Sequence, residues 1–356
     1  MNMYWSDLIK GLTPYVPGEQ PTDRRYIKLN TNENPYPPAP AVLKTIHDHI
    51  NRDLRLYPDP TCSRFRSVAA AHYQVLPENI FPSNGSDEVL AFSFLAFFKG
   101  TKPVLYPDVT YSFYPVYSEF FAVPSRNIPL GDGWRIDLDA YPEDNGGVIF
   151  PNPNAPTGRL LPVEQVEALL KRNTRSVVLV DEAYIDFGGV SCLPLIKHYP
   201  NLLVVQTMSK SRALAGMRIG CAFGHPHLIE GLERVKNCFN SYTLDRLALA
   251  AGEAAWGEQN YYEELNQKII AVREWVSDEL DKLDFTVTPS AANFIFISHR
   301  KFRAADLFTE LRKRGVLVRY FNQPRIENWL RVSIGDQAEM DAFIMALRDI
   351  LKTGQY

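Results

Sequence analysis

Short apolar runs alternate with stretches of helical periodicity between residues 41 and 245. Each run is continuous in aliphatic and β-branched residues, which is typical of strands buried on both faces of a sheet, and the helical stretches between the runs can supply crossover connections. The runs are IFPS, PVLY, GVIF, SVVLV, LLVVQT and IGCAFG. The alternation predicts an α/β fold with a doubly wound, mainly parallel sheet.

The pattern differs on either side of this region. Before residue 41, proline and polar residues dominate, and the segment NTNENPYPPAP cannot continue as a helix or a central strand. After residue 245, one long helical stretch precedes short strands and two further helices. We therefore predict an N-terminal arm or substrate lid at residues 1–40, a large domain at 41–245 and a smaller α+β domain at 246–356.

Composition and charge restrict the possible functions. The 356 residues are 46% hydrophobic and 22% charged, as in an ordinary soluble globular protein. A formal net charge of −3, without a run of five like charges, argues against nucleic acid as the main partner. No stretch is apolar enough to predict a membrane span, and the cysteine and histidine spacings suggest neither a disulfide framework nor a metal site. We expect a cytoplasmic protein without metal.

Chemically unusual residues follow several of the predicted strands. In open parallel sheets, ligands bind beyond the carboxyl ends of the strands, so residues at these positions are candidates for a site. They are the segment SNGSDE at 83–88, Tyr111, the segment NPNAPTG at 152–158, Asp181, and the basic segment SKSRALAGMR at 209–218.

Each of these features also has an ordinary explanation. The segment around Gly85 can cradle a phosphate at a helix N-terminus, or it can be a simple helix cap. Asp181 can pair with a protonated heterocyclic nitrogen, or it can cap a turn. Lys210 can form a Schiff base if its amine is partly desolvated, or it can lie in a solvated basic loop. Their coincidence at one edge of one sheet favours a pocket for pyridoxal phosphate.

Five motifs occur in order along the chain: GSDE, TYSFY, NPNAPTG, DEAYIDF and SKSRALAGMRIG. As a set they closely resemble the fold type I pyridoxal-phosphate aminotransferases, and among these the histidinol-phosphate aminotransferase family. The resemblance implies a homodimer that transfers an amino group reversibly between L-histidinol phosphate and 2-oxoglutarate, giving imidazole acetol phosphate and glutamate, in histidine biosynthesis.

The resemblance also implies roles for the residues of the cofactor site. Lys210 forms the Schiff base and then moves a proton, Asp181 keeps the pyridine nitrogen protonated, and Tyr184 donates a hydrogen bond to the ring hydroxyl. The remaining positions surround the ring and its phosphate: Tyr111 stacked on the pyridine ring, and Gly85, Ser86, Asp87, Ser209 and Arg218 around the phosphate.

Further positions are implied for the substrate and the partner subunit. Arg319 and Arg331 match substrate-binding arginines, and Tyr15 lies in the N-terminal lid. Tyr57 matches a tyrosine that reaches the cofactor phosphate of the neighbouring subunit. We expect Arg212, which has no match of this kind, to be solvated.

One position departs from the pattern of the family. The asparagine that immediately precedes Pro-Thr-Gly, and contacts the ring hydroxyl, is replaced by Ala155. Either Asn154, one residue earlier, takes over this contact, or Tyr184 holds the hydroxyl without it. We expect Asn154 to belong to the site.

Several other functions remain as alternatives. Within the same chemistry, the chain could be an aromatic aminotransferase or a threonine-phosphate decarboxylase. Outside it, the chain could be a ligand sensor or a nucleotide-driven switch. The sensor would need an appended DNA-binding module, and the switch would need a G-x-x-x-x-G-K-[ST] loop, which the sequence lacks.

Overall fold

The computed structural model of the protein describes residues 4–353. Residues 1–3 of the predicted arm and residues 354–356 of the predicted C-terminal domain lie outside the described part. Within 4–353, none of the helices combines the length and the apolar composition that crossing a membrane requires.

α-Helices and strands alternate along most of the chain. The helices are α1 (Asp7–Gly11), α2 (Pro40–His49), α3 (Ser63–Tyr73), α4 (Ser86–Ser93), α5 (Phe113–Phe120), α6 (Val163–Arg172), α7 (Pro226–Phe239), α8 (Arg246–Gly257), α9 (Gln259–Asp281), α10 (Ala304–Lys313) and α11 (Gln337–Thr353). The strands are β1 (Ile27–Lys28), β2 (Ile80–Asn84), β3 (Val104–Pro107), β4 (Ser125–Ile128), β5 (Gly147–Pro151), β6 (Val178–Asp181), β7 (Leu202–Thr207), β8 (Ile219–Gly224), β9 (Phe285–Val287), β10 (Phe294–His299), β11 (Val316–Leu317), β12 (Arg319–Tyr320) and β13 (Leu330–Ser333).

Seven strands form the central sheet, in the order β2-β8-β7-β6-β5-β3-β4. Strands β3, β4, β5, β6 and β7 are mutually parallel, whereas β8 is antiparallel to both of its neighbours, β2 and β7. The prediction of a mainly parallel sheet is therefore confirmed. Strand β4 was missed, because it lies at the edge of the sheet and exposes three of its four side chains, so it lacks a continuous apolar run.

Adjacent residues of the central strands enter two different cores. In β6, Val178 and Val180 belong to one core and Leu179 belongs to the other, as expected for side chains that alternate between the faces of a strand. Helices α2, α3, α6 and α8 contribute to the first core, and α4, α5 and α7 contribute to the second. Because helices cover both faces, both sets of strand residues are apolar, which produces the continuous runs seen in the sequence.

A second, antiparallel sheet has the strand order β12-β13-β10-β9, and residues of α9, α10 and α11 pack with it in a third core. Part of the predicted arm joins this region: β1 pairs with β11, and Leu29 is buried in the third core. The fold is therefore α/β with a smaller α+β region towards the C-terminus. The predicted domain boundaries at residues 40 and 245 stay a prediction.

The third core predicts a difference between two residues of α11. Phe343 is 0% exposed, whereas Met345, two residues further on, is 63% exposed. Phe343→Ala should lower the free energy of unfolding by about 3–5 kcal/mol, since it removes a buried ring and leaves a cavity. Met345→Ala is the control, with an expected change below about 0.5 kcal/mol. Urea unfolding followed by circular dichroism measures both, and equal losses would contradict the assignment of Phe343 to the core.

Candidate active site

A cavity of about 460 Å³ lies at the edge of the central sheet. Strands β3, β5, β6 and β7 end there, and so does β2, which runs in the same direction as β7 because β8 is antiparallel to both. For the same reason β8 begins at this edge. Most of the predicted site residues line the cavity: Tyr15, Ser86, Asp87, Tyr111, Asp181, Tyr184, Ser209, Lys210, Arg218, Arg319 and Arg331.

The amine of Lys210 is enclosed in this cavity. Its Nζ donates a hydrogen bond to the carbonyl oxygen of Thr31 at 3.2 Å and lies 5.8 Å from the centre of the Tyr184 ring. Burial lowers the pKa of Lys210 to about 8, and the positive charge of Arg331 acts in the same direction. A substantial fraction of this amine is therefore neutral near pH 7–8, as a nucleophile or a general base requires.

Asp181 is the last residue of β6 and is buried. Its carboxylate accepts hydrogen bonds from the phenol of Tyr114 at 3.1 Å and from the backbone N–H of Ala183 at 3.2 Å. Burial raises the pKa of Asp181 to about 6. A carboxylate in this environment is stabilised by a cationic partner, and a protonated ring nitrogen would provide one.

An anion cradle lies at the beginning of α4. Gly85 has a φ of +77°, and a Cβ atom there would lie 2.5 Å from Nη2 of Arg218, so only glycine allows this approach. Arg218 immediately precedes β8 and donates to Asp87 Oδ2 at 3.2 Å and to Ser209 Oγ at 3.4 Å. The N–H groups of a helix N-terminus beside a guanidinium and a hydroxyl suit a phosphate.

Aromatic side chains form part of the wall. The phenol of Tyr111 donates to Asp87 Oδ1 at 2.9 Å, which fixes its ring beside the cradle. The phenol oxygen of Tyr184 accepts from Nδ2 of Asn32 at 3.0 Å. The ring of Tyr15 stacks on Phe113 with centroids 4.3 Å apart. These rings are thus held in place before any ligand enters.

Two further arginines line the cavity and also hold the N-terminal segment. Arg331 donates to the carbonyl oxygen of Asn30, and Arg319 donates to that of Val16, both at 2.9 Å. Nε of Arg331 is buried without a hydrogen-bond partner among residues 4–353. Two guanidinium groups with an unused buried donor suit a carboxylate or phosphate ligand.

Asn154 does not line the cavity, contrary to expectation. It is 0% exposed, and its amide nitrogen donates to the carbonyl oxygen of Val109 and to Thr157 Oγ1, both at 3.0 Å. Both amide protons are therefore used to hold the loop, and the methyl group of Ala155 faces the cavity instead.

Tyr57 also lies apart from the residues that line the cavity. It is 77% exposed and stacks on Tyr242 with ring centroids 4.6 Å apart. Its predicted contact is with a neighbouring subunit and stays a prediction.

Arg212 is not solvated, so that expectation is wrong. It is 5% exposed, donates to Gln259 Oε1 at 2.9 Å and lies over the rings of Trp256 and Tyr262 at 5.3 and 5.2 Å. The aromatic partners come from α8 and α9, which are distant in sequence, so the local basic pattern could not reveal them.

The segment Asn30–Asn34 also contributes to the site, which we did not predict from the sequence. The backbone carbonyl oxygens of Thr31 and Asn30 accept hydrogen bonds from Lys210 and Arg331, respectively. The side-chain amide of Asn32 donates to Tyr184, and that of Asn34 donates to the carbonyl oxygen of Lys210 at 2.9 Å. The repeated asparagines between prolines were a usable signal, because asparagine tolerates a positive φ and Asn32 has a φ of +55°. As for metals, residues 4–353 contain no group of three or more histidine, cysteine, aspartate or glutamate side chains arranged to hold one.

Comparison with known proteins relates this site to a family. Residues 24–347 match the sequence model of aminotransferase class I and II. The chain is 53% identical over 351 residues to the histidinol-phosphate aminotransferase of Clostridium acetobutylicum, covering 99% of this chain and 100% of that protein. It is also 53% identical over 353 residues to histidinol-phosphate aminotransferase 1 of Hydrogenovibrio crunogenus, covering 99% of both chains.

A solved structure gives the same result for the fold. The crystal structure of histidinol-phosphate aminotransferase from Sinorhizobium meliloti, in complex with pyridoxal-5'-phosphate, is similar with a TM-score of 0.89 at 25% identity, covering 99% of this chain and 98% of that one. The family match over most of the chain, together with 53% identity to relatives of the same length, identifies this protein as a member of the aminotransferase class I and II family.

Proposed function

We propose that this protein is a pyridoxal-phosphate-dependent transaminase that moves an amino group reversibly between L-histidinol phosphate and 2-oxoglutarate. In this proposal the enzyme acts in histidine biosynthesis and is located in the cytoplasm. The names of the relatives at 53% identity support histidinol phosphate as the amino donor. The observation that carries the chemistry is the partly buried Lys210, which lines one cavity together with an anion cradle and a pair of arginines and whose pKa is lowered to about 8. When bound, the cofactor supplies the electron sink for the carbanion formed at the substrate's Cα.

In this proposal, the residues on the sheet edge hold the cofactor. Asp181 would pair with its protonated ring nitrogen, Tyr184 would donate to its ring oxygen, and Tyr111 would cover the ring. The cradle formed by Gly85, Ser86, Asp87, Ser209 and Arg218 binds its phosphate. By holding the phosphate, these residues would retain the cofactor when it is not covalently bound to Lys210.

Lys210 then has two tasks. As a neutral amine it would condense with the aldehyde of the cofactor, with loss of water. As a free amine it would be the base that takes a proton from the substrate's Cα and the acid that returns it. Thr31 orients the amine through its carbonyl oxygen. The segment Asn30–Asn34 contacts Lys210 through Thr31 and Asn34 and would limit the access of water to this proton transfer.

Arg319 and Arg331 bind the anionic group of each substrate in turn, which is the phosphate of histidinol phosphate or a carboxylate of 2-oxoglutarate. A guanidinium fork suits both groups better than a lysine would. Tyr15, stacked on Phe113, closes the same side of the cavity.

We further propose a homodimer in which Tyr57 completes the partner's site. Tyr57 lies beside a surface recess of about 400 Å³ lined by residues 54–58 and 245–247. Its neighbours include large apolar side chains that are 45–50% exposed, namely Leu54 and Leu56. Apolar surface of this kind, around an exposed tyrosine, is typical of subunit interfaces.

The substrate assignment is tested by titrating the cofactor-loaded protein with single amines in the absence of any oxo acid. L-Histidinol phosphate should remove the visible absorbance of the cofactor at a concentration about 10–100-fold lower than L-phenylalanine, since a phosphate offers the two arginines more negative charge and one more acceptor oxygen than the carboxylate of phenylalanine. Arg331→Gln should abolish most of this preference. A stronger response to phenylalanine would indicate an aromatic aminotransferase, and release of carbon dioxide from L-threonine phosphate would indicate a decarboxylase.

The lowered pKa of Lys210 predicts how cofactor binding depends on pH. Only the neutral amine can attack, so the rate constant for cofactor incorporation into the apoprotein should rise as pH increases through about 8 and level off above it. Stopped-flow absorbance measures this rate. Lys210→Ala is the control and should incorporate no cofactor covalently. A midpoint near 10, as for an exposed lysine, would contradict the buried nucleophile.

The role of Tyr57 is tested by complementation between inactive subunits. Lys210→Ala and Tyr57→Ala chains, coexpressed with different affinity tags, should form mixed dimers with one intact site, so random pairing restores about a quarter of the wild-type activity per chain. Each variant alone should fall well below this value. If Tyr57 acts within its own subunit, the mixed dimer has no intact site and no activity is regained.

A further inference from the structure

Asn32 makes a directed hydrogen bond to a residue of the cavity wall. It lies between β1 and α2 and is 1% exposed, and its Nδ2 donates to the phenol oxygen of Tyr184 at 3.0 Å. Tyr184 is itself buried and lines the cavity beside Lys210. The amide of Asn32 can therefore orient the phenol group that Tyr184 presents to the cavity.

The direction of this hydrogen bond is fixed by the other contacts of Asn32. Oδ1 of Asn32 accepts a hydrogen bond from Ser333 Oγ at 2.9 Å. The backbone N–H of Asn32 donates to the same Ser333 Oγ at 2.8 Å. Its carbonyl oxygen accepts from Nδ2 of Asn293 at 3.0 Å. A flipped amide would leave the hydroxyl proton of the buried Ser333 without an acceptor, which favours the arrangement with the NH₂ group facing the phenol.

This direction leaves the phenol proton of Tyr184 available. Because the phenol oxygen accepts from Asn32, its own O–H group can point into the cavity and donate there. Burial raises the pKa of Tyr184, opposed by the charge of Arg331 and the bond from Asn32, so the phenol stays protonated at neutral pH. Ala155, which also lines the cavity, has no polar side-chain atom to share this task.

We propose that Asn32 is a positioning residue that turns the O–H group of Tyr184 towards the ring oxygen of the cofactor. The proposal rests on the proposed function, since it requires the cofactor in this cavity. The positive φ of Asn32, +55°, is the local cost of bringing the amide to the phenol. Aspartate and glycine are the replacements that tolerate the same backbone conformation.

The test follows the visible absorbance of the bound cofactor as a function of pH. A donor on the ring oxygen withdraws negative charge from it and thereby lowers the proton affinity of the neighbouring nitrogen that Lys210 contributes. Losing the donor should raise the pH midpoint by about one unit, a tenfold increase in proton affinity. Asn32→Asp, of nearly the same shape, replaces the donor with an acceptor that draws the phenol proton away. Asn32→Gly removes the side chain.

Three controls distinguish a positioning role of Asn32 from a general destabilisation of the fold. Asn293→Ala removes the bond to the carbonyl of Asn32 but keeps the amide-to-phenol bond, so it should lower the melting temperature and leave the midpoint unchanged. In a Tyr184→Phe background, the uncharged change Asn32→Gly should cause no further shift, because its effect passes through the phenol. Adding Ala155→Asn to Asn32→Gly supplies an amide donor from the other wall and should move the midpoint back.

An unchanged midpoint in both Asn32 variants, with the cofactor still bound, would overturn the proposal. So would an equal shift in Asn293→Ala, or a full shift that persists in the Tyr184→Phe background. The proposed function fails separately, if the wild-type protein retains no cofactor or if Lys210→Ala has the same spectrum and titration as the wild type.

Discussion

The burial of one amine is the constraint on which the site depends. Lys210 follows β7 at the edge of the central sheet, but that sheet alone would leave its side chain open to water. The segment Asn30–Asn34 covers it, and the strand that carries Arg331 holds this segment in place. Desolvation is what brings the pKa of the amine to about 8, so the reactivity of Lys210 depends on contacts among three distant parts of the chain.

The charges of the cavity explain how an acidic protein binds anions. The chain carries a formal net charge of −3, yet Lys210, Arg218, Arg319 and Arg331 all line one cavity of about 460 Å³. Concentrating cations in a concave, partly desolvated site strengthens their field at short range. Arg218 reaches this place because β8 is antiparallel to its neighbours, so its beginning, rather than its end, lies at the ligand edge.

The N-terminal segment, which we predicted to be a lid, has a structural role. Its first part, around Tyr15, stacks on the large sheet region through Phe113, while β1 adds to the C-terminal region through β11. Between these contacts, Asn32 holds Tyr184. The segment therefore connects both sheet regions to the active site, and its asparagines supply directional hydrogen bonds that an apolar segment could not make.

The sequence by itself determined the α/β fold, the mainly parallel sheet and most of the candidate site. Strands covered on both faces must be continuously apolar, and parallel strands bring their carboxyl ends together, so Asp181 and Lys210 could be assigned to one edge from the chain order alone. Strand β4 was not predicted, because three of its four side chains are exposed at the edge of the sheet and it therefore has no continuous apolar run.

Only the tertiary structure decided where individual side chains point and which distant residues they contact. It directs Asn154 into its own loop, buries Arg212 against aromatic rings of α8 and α9, and brings Asn32 to Tyr184 across about 150 residues of chain. Hydrogen bonds and cation–π contacts are short-ranged and directional, so they depend on packing between elements that are remote in sequence. Local residue patterns carry no record of such contacts.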